Sequence, residues 1–473
     1  FGKNQRNFWW NMALTSAEFQ TKAREGGSIK TASVCPVCLQ RIPAERVFYE
    51  DEVYLEKTCP DHGFFKTILW RGEPAYPTWF REKIPNHPDH PFHQPQKGCP
   101  FDCGLCASHR QEPCCVLLEV TQNCDLACPV CFASAGGQKS VDPGLNVVQT
   151  WYQRMLDAGG PFNIQLSGGE PCTRDDLPEI IRMGKSLGFS YFQVNTNGLR
   201  LSTDVDFLRS LKTAGLNVVY LQFDGTNDQI YQTIRGRVLL QHKIRCIQNC
   251  ADLRIGVVLV PTIVPGVNDR DLGGIIRFAL DHQPAVKGIH FQPVTYFGRY
   301  PQPPENADRI TIPELLRGFE EQTDGLVHYT DFHPKGSENS YCSFTGNYLI
   351  QPDGSLQFIQ SNETSCGCHK ADDAKASVKR ARDFVARHWV YHEPPSQSSS
   401  TTYSLGGWDQ VLERARDHHF SISGMAFQDA WNLDLELLQD CCISIAAPNG
   451  DLVPFCSYNL TNTQGQTLYR PRP

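Results

Sequence analysis

Six short apolar runs rich in β-branched residues recur through the middle of the chain. They are CVLLEVT (115–121), FNIQLS (162–167), YFQVNT (191–196), NVVYLQFD (217–224), IGVVLVPTI (255–263) and KGIHFQPV (287–294). The runs are continuous rather than alternating, which predicts strands buried on both faces, and segments of helical periodicity separate them. Six strand–helix units over residues 112–300 predict an α/β core, with chemistry at the carboxyl ends of parallel strands. Residues 30–72 alternate instead (RVFYEDEVYLEKTC, GFFKTILW) and read as short, half-buried strands. Beyond residue 300, YLIQPDGSLQFI (348–359) and CISIAAPNGDLVPFC (442–456) are apolar runs broken by Pro-Asp-Gly or Pro-Asn-Gly turns, hence two hairpins and a degenerate repeat. Between them lie a helical stretch, DDAKASVKRARDFVARHW, and a flexible linker, EPPSQSSSTTYSLGG.

These shifts divide the chain into an extension (1–29), a cysteine module (30–72), a connector (73–111), the core (112–300), a further cysteine region (301–392) and a separately docked module (408–473). A length of 473 residues suits two to four domains. The net charge of −7 argues against a nucleic-acid surface. No apolar run approaches the roughly 18 residues of a membrane span, and the opening segment lacks the apolar stretch of a secretory signal. Twenty cysteines in such a chain point to metal sites in a reducing, anaerobic cytoplasm rather than to disulfides.

The cysteines fall into groups. Cys124, Cys128 and Cys131 directly follow the first core strand, and Ser167-Gly168-Gly169-Glu170-Pro171 closes the second. A [4Fe–4S] cluster ordinarily takes four protein thiolates, so three in one loop leave one iron for another ligand. Cys99, Cys103 and Cys106 repeat the spacing without the glycine loop; an auxiliary cluster is expected there, its fourth ligand Cys114, Cys115 or a distant cysteine, with a zinc knuckle as the alternative. Cys35, Cys38, Cys59 and His62 form two knuckles suited to one zinc or iron ion. Cys342 precedes the first hairpin and Cys366 and Cys368 follow it. Cys441, Cys442 and Cys456 flank the second hairpin and are candidates for a catalytic role: capping a cluster, holding a soft metalloid substrate, or forming a redox thiol site. Cys172, Cys246 and Cys250 fit no ligand pattern and read as core packing.

The cysteine loop followed by the Gly-Gly-Glu-Pro loop resembles the radical S-adenosylmethionine (SAM) superfamily. The order CPVC, KTCPDHG, GCPFDCGLC, CDLACPVCFASAG, QLSGGEPCTRDDLPEI, NTNGLR, YLQFDG, VLVPTIVPGVND and GIHFQPVTYFGR is similar to archaeal tetraether lipid synthase and related pterin-methylating radical SAM proteins. The tail, QDCCISIAAPNGDLVPFCSYN, resembles the TrsS group of radical SAM (seleno)proteins.

The resemblance implies a partial (β/α)6 barrel, an N-terminal rubredoxin-like or zinc-ribbon module and C-terminal SPASM-like cysteine hairpins. Cys124, Cys128 and Cys131 would hold a [4Fe–4S] cluster whose open iron binds SAM, giving a 5′-deoxyadenosyl radical on reduction. Gly168 and Gly169 would offer backbone groups, and Glu170 a carboxylate, to SAM's ammonium. Asn195, Asn197, Gln222 and Asp224 would reach the ribose or substrate, Arg235 would clamp a carboxylate, and Gln292 would border the adenine. For each of these an ordinary barrel-rim role is the competing reading.

Two departures stand out: Val130 occupies a place where the family often has an aromatic, and Phe358-Ile359-Gln360 stands where a SPASM cysteine is expected. The implied cofactors are the cluster, SAM, one or two auxiliary [4Fe–4S] clusters and a mononuclear Zn or Fe. The implied partners are a small-molecule or lipid-like substrate and a low-potential donor of flavodoxin or ferredoxin type. Alkyl or methyl transfer or C–C bond formation is the expected reaction. The alternatives are group transfer to arsenic or selenium on the C-terminal cysteines, and a non-enzymatic iron–sulfur electron-transfer or metal-binding protein.

Overall fold

The computed structural model describes residues 27–137, 139–359, 372–391 and 418–471; Cys366, Cys368 and the serine-rich linker lie outside the described residues. Four strands, β1 (Ser28–Val34), β2 (Arg41–Tyr49), β3 (Glu52–Cys59) and β4 (Gly63–Arg71), form an antiparallel sheet in sequential order. Alternating burial along β2 and β3 matches the alternating sequence pattern. The β1–β2 and β3–β4 connections fall at the same end of this sheet, so the two knuckles meet.

After the two-residue β5 (Lys83–Ile84), the core strands are β6 (Cys115–Thr121), β7 (Asn163–Gly168), β8 (Phe192–Thr196), β9 (Val218–Gln222), β10 (Gly256–Val260) and β12 (Val286–Pro293), with short β11 (Thr262–Ile263) beside β12. All six lie within two residues of the apolar runs at their starts and ends or inside them. They pair in parallel in the order β6-β7-β8-β9-β10-β12. Their side chains are buried on both faces, and amphipathic helices such as Leu145–Asp157 and Leu177–Ser186 cover the outside.

The C-terminal half departs from the sequence reading. β13 (Ser343–Ile350) and β14 (Leu356–Phe358) form the first hairpin, β17 (Ile443–Ala446) and β18 (Leu452–Pro454) the second, and β16 (His419–Met425) precedes it; β15 (Asp372–Asp373) pairs with β5. β16 runs parallel to β12, with β13 antiparallel on its other side, and β17 runs parallel to β6. Residues 418–471 are therefore not a separately docked module. They extend the barrel sheet to eight parallel strands, β16-β12-β10-β9-β8-β7-β6-β17. The physical reason is the pair of open edges of a six-stranded parallel sheet, which need partners.

Buried ion pairs fix the tail. Arg309 binds Asp429 through two bonds of 3.0 and 2.9 Å, and Arg470 donates to Glu119 on β6 at 2.8 Å. Arg46 on β2 donates to Asp434 at 2.6 Å, and Lys57 on β3 to the Ala430 carbonyl at 2.8 Å, so the ribbon sheet packs on the same tail segment.

Truncation after residue 417 should therefore abolish folding rather than release an intact barrel. The check is far-UV circular dichroism with size-exclusion chromatography. A soluble, helical, monomeric 1–417 fragment would show that the tail is dispensable. In the full chain, Asp429→Ala should cost about 3–5 kcal/mol, because it leaves the Arg309 charge buried without its partner.

Candidate active site

β6 ends at Thr121 and the chain enters the loop carrying Cys124, Cys128 and Cys131. Its neighbour β7 delivers the glycine loop onto it: Gly169 N–H donates to the Thr121 carbonyl and Glu170 N–H to the Asn123 carbonyl, each at 2.8 Å. A Cβ at position 168 would collide with the Thr121 carbonyl and one at 169 with the Asn123 carbonyl; Gly168 also has φ +123°. Both positions demand glycine, and what approaches them is the cysteine loop itself.

Glu170 is buried and its carboxylate accepts from Cys172 N–H (3.0 Å), Thr196 Oγ1 (2.6 Å) and Asn197 N–H (2.7 Å). Burial raises its pKa, against the pull of these donors. Three of about four acceptor positions are thus spent inside the protein. Glu170 ties the β7 loop to the end of β8, a different task from the exposed carboxylate expected. Asn197 in turn donates to Asp125 at 2.6 Å, so it joins the end of β8 to the cysteine loop.

Arg235 is also engaged. Its guanidinium binds Asp224 at 2.8 and 2.7 Å, and Thr262 Oγ1 at 3.1 Å. Asp224 is fully buried and also accepts from Thr262 N–H at 3.1 Å. The carboxylate that Arg235 clamps is internal, and the paired guanidinium faces Cys128. Lys243 donates to the Asn197 carbonyl (2.5 Å) and Gln222 Oε1 (3.1 Å), and burial brings its pKa down to about 8.

A cavity of about 540 Å³ opens inside the barrel, and Cys124, Cys128 and Cys131 lie along its wall. Each residue expected to contact SAM lines it except Asp224. Burial pushes the Cys124 thiol up to about 12 and also raises Cys128, where the Arg235 charge pulls the other way. Such thiols give up their protons to a metal centre rather than to water. Three thiols on one loop beside an open cavity fit a cluster with one free iron.

Arg299 escaped sequence reading. Its side chain donates to the Cys128 and Ala135 carbonyls, both at 2.8 Å, and its backbone exchanges two hydrogen bonds with Cys131. Lys243 escaped too, hidden in an ordinary polar helical stretch.

The remaining cysteines sort differently from expectation. Cys35, Cys38, Cys59 and His62 each offer a ligand atom, all within 4.8 Å of one another, so His62 completes the set. Three sulfurs and one nitrogen brought together in this way suit a tetrahedral metal ion. Cys99, Cys103 and Cys106 pack against β18 and the tail, with Ser457 Oγ donating to Cys103 at 3.3 Å. Cys114, one candidate for their fourth ligand, is engaged elsewhere: its sulfur lies 2.8 Å from that of Cys442.

Of the trio Cys441, Cys442 and Cys456, Cys442 has a partner the sequence did not suggest. Burial pushes the Cys342 thiol well up, and the Cys456 and Cys441 thiols push it further; Cys441 in turn feels both Cys456 and Cys442. Cys442 groups with Cys114 and Glu338.

Arg299→Ala should unfix the cysteine loop. Iron per chain after anaerobic reconstitution should fall, and stability should drop by about 1–3 kcal/mol from the unsatisfied carbonyls. Iron retention with only a lowered melting temperature would limit Arg299 to a packing role.

Comparison with known proteins places this geometry. Residues 29–71 match the HMPTM N-terminal zinc ribbon domain, and residues 118–279 match the Radical SAM superfamily. The 7,8-dihydro-6-hydroxymethylpterin dimethyltransferase of Methanocaldococcus jannaschii is 33% identical over 476 residues, covering 92% of this chain and 94% of that protein. A GTP 3′,8-cyclase of Marinobacter nauticus is 28% identical over 268 residues, or 53% of this chain and 80% of that one. Among solved structures, Streptococcus suis SuiB bound to precursor peptide SuiA covers 46% of each chain at 13% identity, with a TM-score of 0.38. The non-enzymatic reading is thereby set aside: with a zinc ribbon ahead of a three-cysteine barrel along nearly its whole length, the chain belongs to the radical SAM enzyme family that includes the M. jannaschii pterin dimethyltransferase.

Proposed function

We propose that this enzyme transfers a methyl or other alkyl group to carbon on a flat, polar heterocycle of the pterin type. The observation that carries this reading is the cavity wall. Carboxamides from successive strands line it: Asn163, Gln165, Gln193, Asn195, Gln222 and Gln292. Gln193 Nε2 donates to Gln165 Oε1 at 2.6 Å, and Tyr191 OH donates to Gln193 Oε1 at 3.2 Å, so these amides are held in fixed orientation. Each amide offers donors and acceptors together, which suits the edge of a heterocycle better than a lipid chain. The name of the relative at 33% identity supports the same substrate class.

In this reading Cys124, Cys128 and Cys131 hold the cluster, and the Gly168–Glu170 backbone fixes their loop. Bound there, the cluster and SAM would supply one-electron radical chemistry. Asn195, Gln222 and Gln292 orient SAM and substrate, while Leu117, Val260, Met425 and Phe427 keep the cavity dry. Cys99, Cys103 and Cys106, and separately Cys342, Cys441 and Cys456, would serve one or two auxiliary clusters. A low-potential flavodoxin- or ferredoxin-type donor would deliver the electron. Transfer to arsenic or selenium is the less favoured reading, because the Cys442 sulfur lies 2.8 Å from that of Cys114 and groups with Glu338.

A reducing cytoplasm suits the described cysteines, none of which is in a disulfide. Among the described residues no helix is long and apolar enough to cross a membrane.

The test is anaerobic turnover with SAM, dithionite and a reduced 6-hydroxymethylpterin. Wild type should release 5′-deoxyadenosine or methionine and alkylate the pterin, and Cys128→Ala should do neither. Gln193→Leu strands its partner Gln165, so it should raise KM for the pterin by about 10-fold or more while SAM cleavage persists. SAM cleavage without pterin binding would sink the substrate class alone; no cleavage at all would sink the whole reading.

A further inference from the structure

We propose that Cys114, Cys442 and Glu338 bind a single zinc ion at the end of the cavity opposite the cysteine loop, with its fourth position open to the cavity. Strand register brings the two cysteines together. Ile443 of β17 pairs with Cys115 of β6 in parallel, and Cys114 N–H donates to the Cys442 carbonyl at 2.7 Å. The residues just before that pair, Cys442 and Cys114, therefore stand side by side where the two strands begin. Their sulfurs are 2.8 Å apart.

Glu338 comes from the loop ahead of β13, and that loop is firmly held. Lys83 Nζ donates to the Ser337 and Glu338 carbonyls at 2.9 and 3.2 Å, and Gln111 Nε2 donates to the Ser337 carbonyl at 2.7 Å. The Glu338 carboxylate itself accepts from Ser337 Oγ at 2.8 Å, a bond that fixes its orientation. One ligand atom from each of Cys114, Cys442 and Glu338 falls within 4.8 Å of the others, and all three residues are buried.

The sulfur separation alone does not select the occupant. A disulfide needs about 2.05 Å, and two thiolates on one tetrahedral zinc, at about 2.3 Å each, stand about 3.7 Å apart. The carboxylate selects it. Glu338 is 7% exposed; its carboxylate accepts from the Ser337 and Ser343 hydroxyls at 2.8 and 3.4 Å and makes no ion pair among the described residues, the Lys83 ammonium being spent on the loop's backbone carbonyls, while a disulfide would give it nothing to bind. A buried carboxylate without a cation is costly. A divalent ion that displaces the two thiol protons and accepts the carboxylate satisfies all three groups. Three protein ligands plus one free position is the arrangement of reactive rather than structural zinc.

That position faces the cavity, because Cys114 and Glu338 line it. β6 spans seven residues from Cys115 to Thr121, or roughly 20 Å at about 3.3 Å per residue, before the cysteine loop begins. The ion is thus too distant to serve the SAM cluster. It is placed to take a carbonyl oxygen, ring nitrogen or thiolate from a molecule lying along the barrel. This assignment rests on the ligand set and not on the transfer reaction proposed above.

The test is zinc and iron analysis of full-length protein purified anaerobically and equilibrated with zinc. Cys442→Ser and Glu338→Gln should each lower zinc by about one ion per chain, with iron and cluster absorption unchanged. Cys38→Ser in the ribbon should remove a different ion, and the Cys38→Ser/Cys442→Ser protein should lose both. Cobalt added to Cys38→Ser protein should give a thiolate-to-cobalt charge-transfer band that the double variant lacks. Should Cys442→Ser fail to fold, Glu338→Gln and the cobalt spectrum of Cys38→Ser decide. Unchanged zinc in the folded variants, loss of iron instead of zinc, or a Cys114–Cys442 disulfide in peptide maps of the native protein would each overturn the proposal.

Discussion

Parallel pairing of β6 with a neighbour on each side is the constraint from which the chemistry of this barrel follows. On one side β7 lays Gly169 and Glu170 against Thr121 and Asn123, fixing the cysteine loop where β6 ends. On the other side β17 brings Cys442 to Cys114 where β6 begins. Both contacts depend on register. A one-residue slip in a strand turns every side chain to the opposite face, so it would separate the two cysteines and bring a residue with a Cβ against the Thr121 or Asn123 carbonyl.

The tail supplies more than an edge strand. Asp429, Asp434 and Arg470 each enter a buried ion pair with a different part of the chain: the segment after the barrel, the ribbon sheet and β6. Buried pairs of this kind contribute little net stability, since desolvation offsets most of the attraction, but each is costly to break singly. Their effect is to fix where the tail sits. Once it is fixed, Phe427 and Phe455 pack on each other at 4.4 Å, Phe455 lies 5.6 Å from Phe132 beside Cys131, and all three rings line the cavity. The aromatic missing at Val130 is thus replaced by Phe132 and two rings from the far end of the chain.

The core was legible in the sequence because burial on both faces writes a strand as an unbroken apolar run. The cysteine loop and the glycine loop were legible because their chemistry demands fixed residues at short spacing, and the ribbon ligands for the same reason. The tail was not. A serine-rich segment suggested a free linker, β17 spans only four residues, and β16 (HFSISGM) alternates apolar with small or polar residues instead of forming an unbroken apolar run, though all seven are buried. What the sequence did contain was a six-stranded parallel sheet with two edges and nothing assigned to cover them. The meeting of Cys114 with Cys442 spans 328 positions and rests on that pairing alone.

Polar partners were the other blind spot, and here the physical lesson concerns direction. A glutamate, an arginine and an aspartate at strand ends look like groups offered to a ligand, yet Glu170 accepts from Cys172, Thr196 and Asn197, and Arg235 and Asp224 bind each other. The Arg235–Asp224 pair adds no net charge to the cavity. It does fix a guanidinium toward Cys128, so the positive end of a neutral pair faces a ligand of the cluster. A free arginine there would be drawn to any carboxylate entering the cavity. Holding Arg235 on Asp224 spends that guanidinium inside the protein, so the polar lining that Asn195, Gln222 and Gln292 present to the cavity carries no charge.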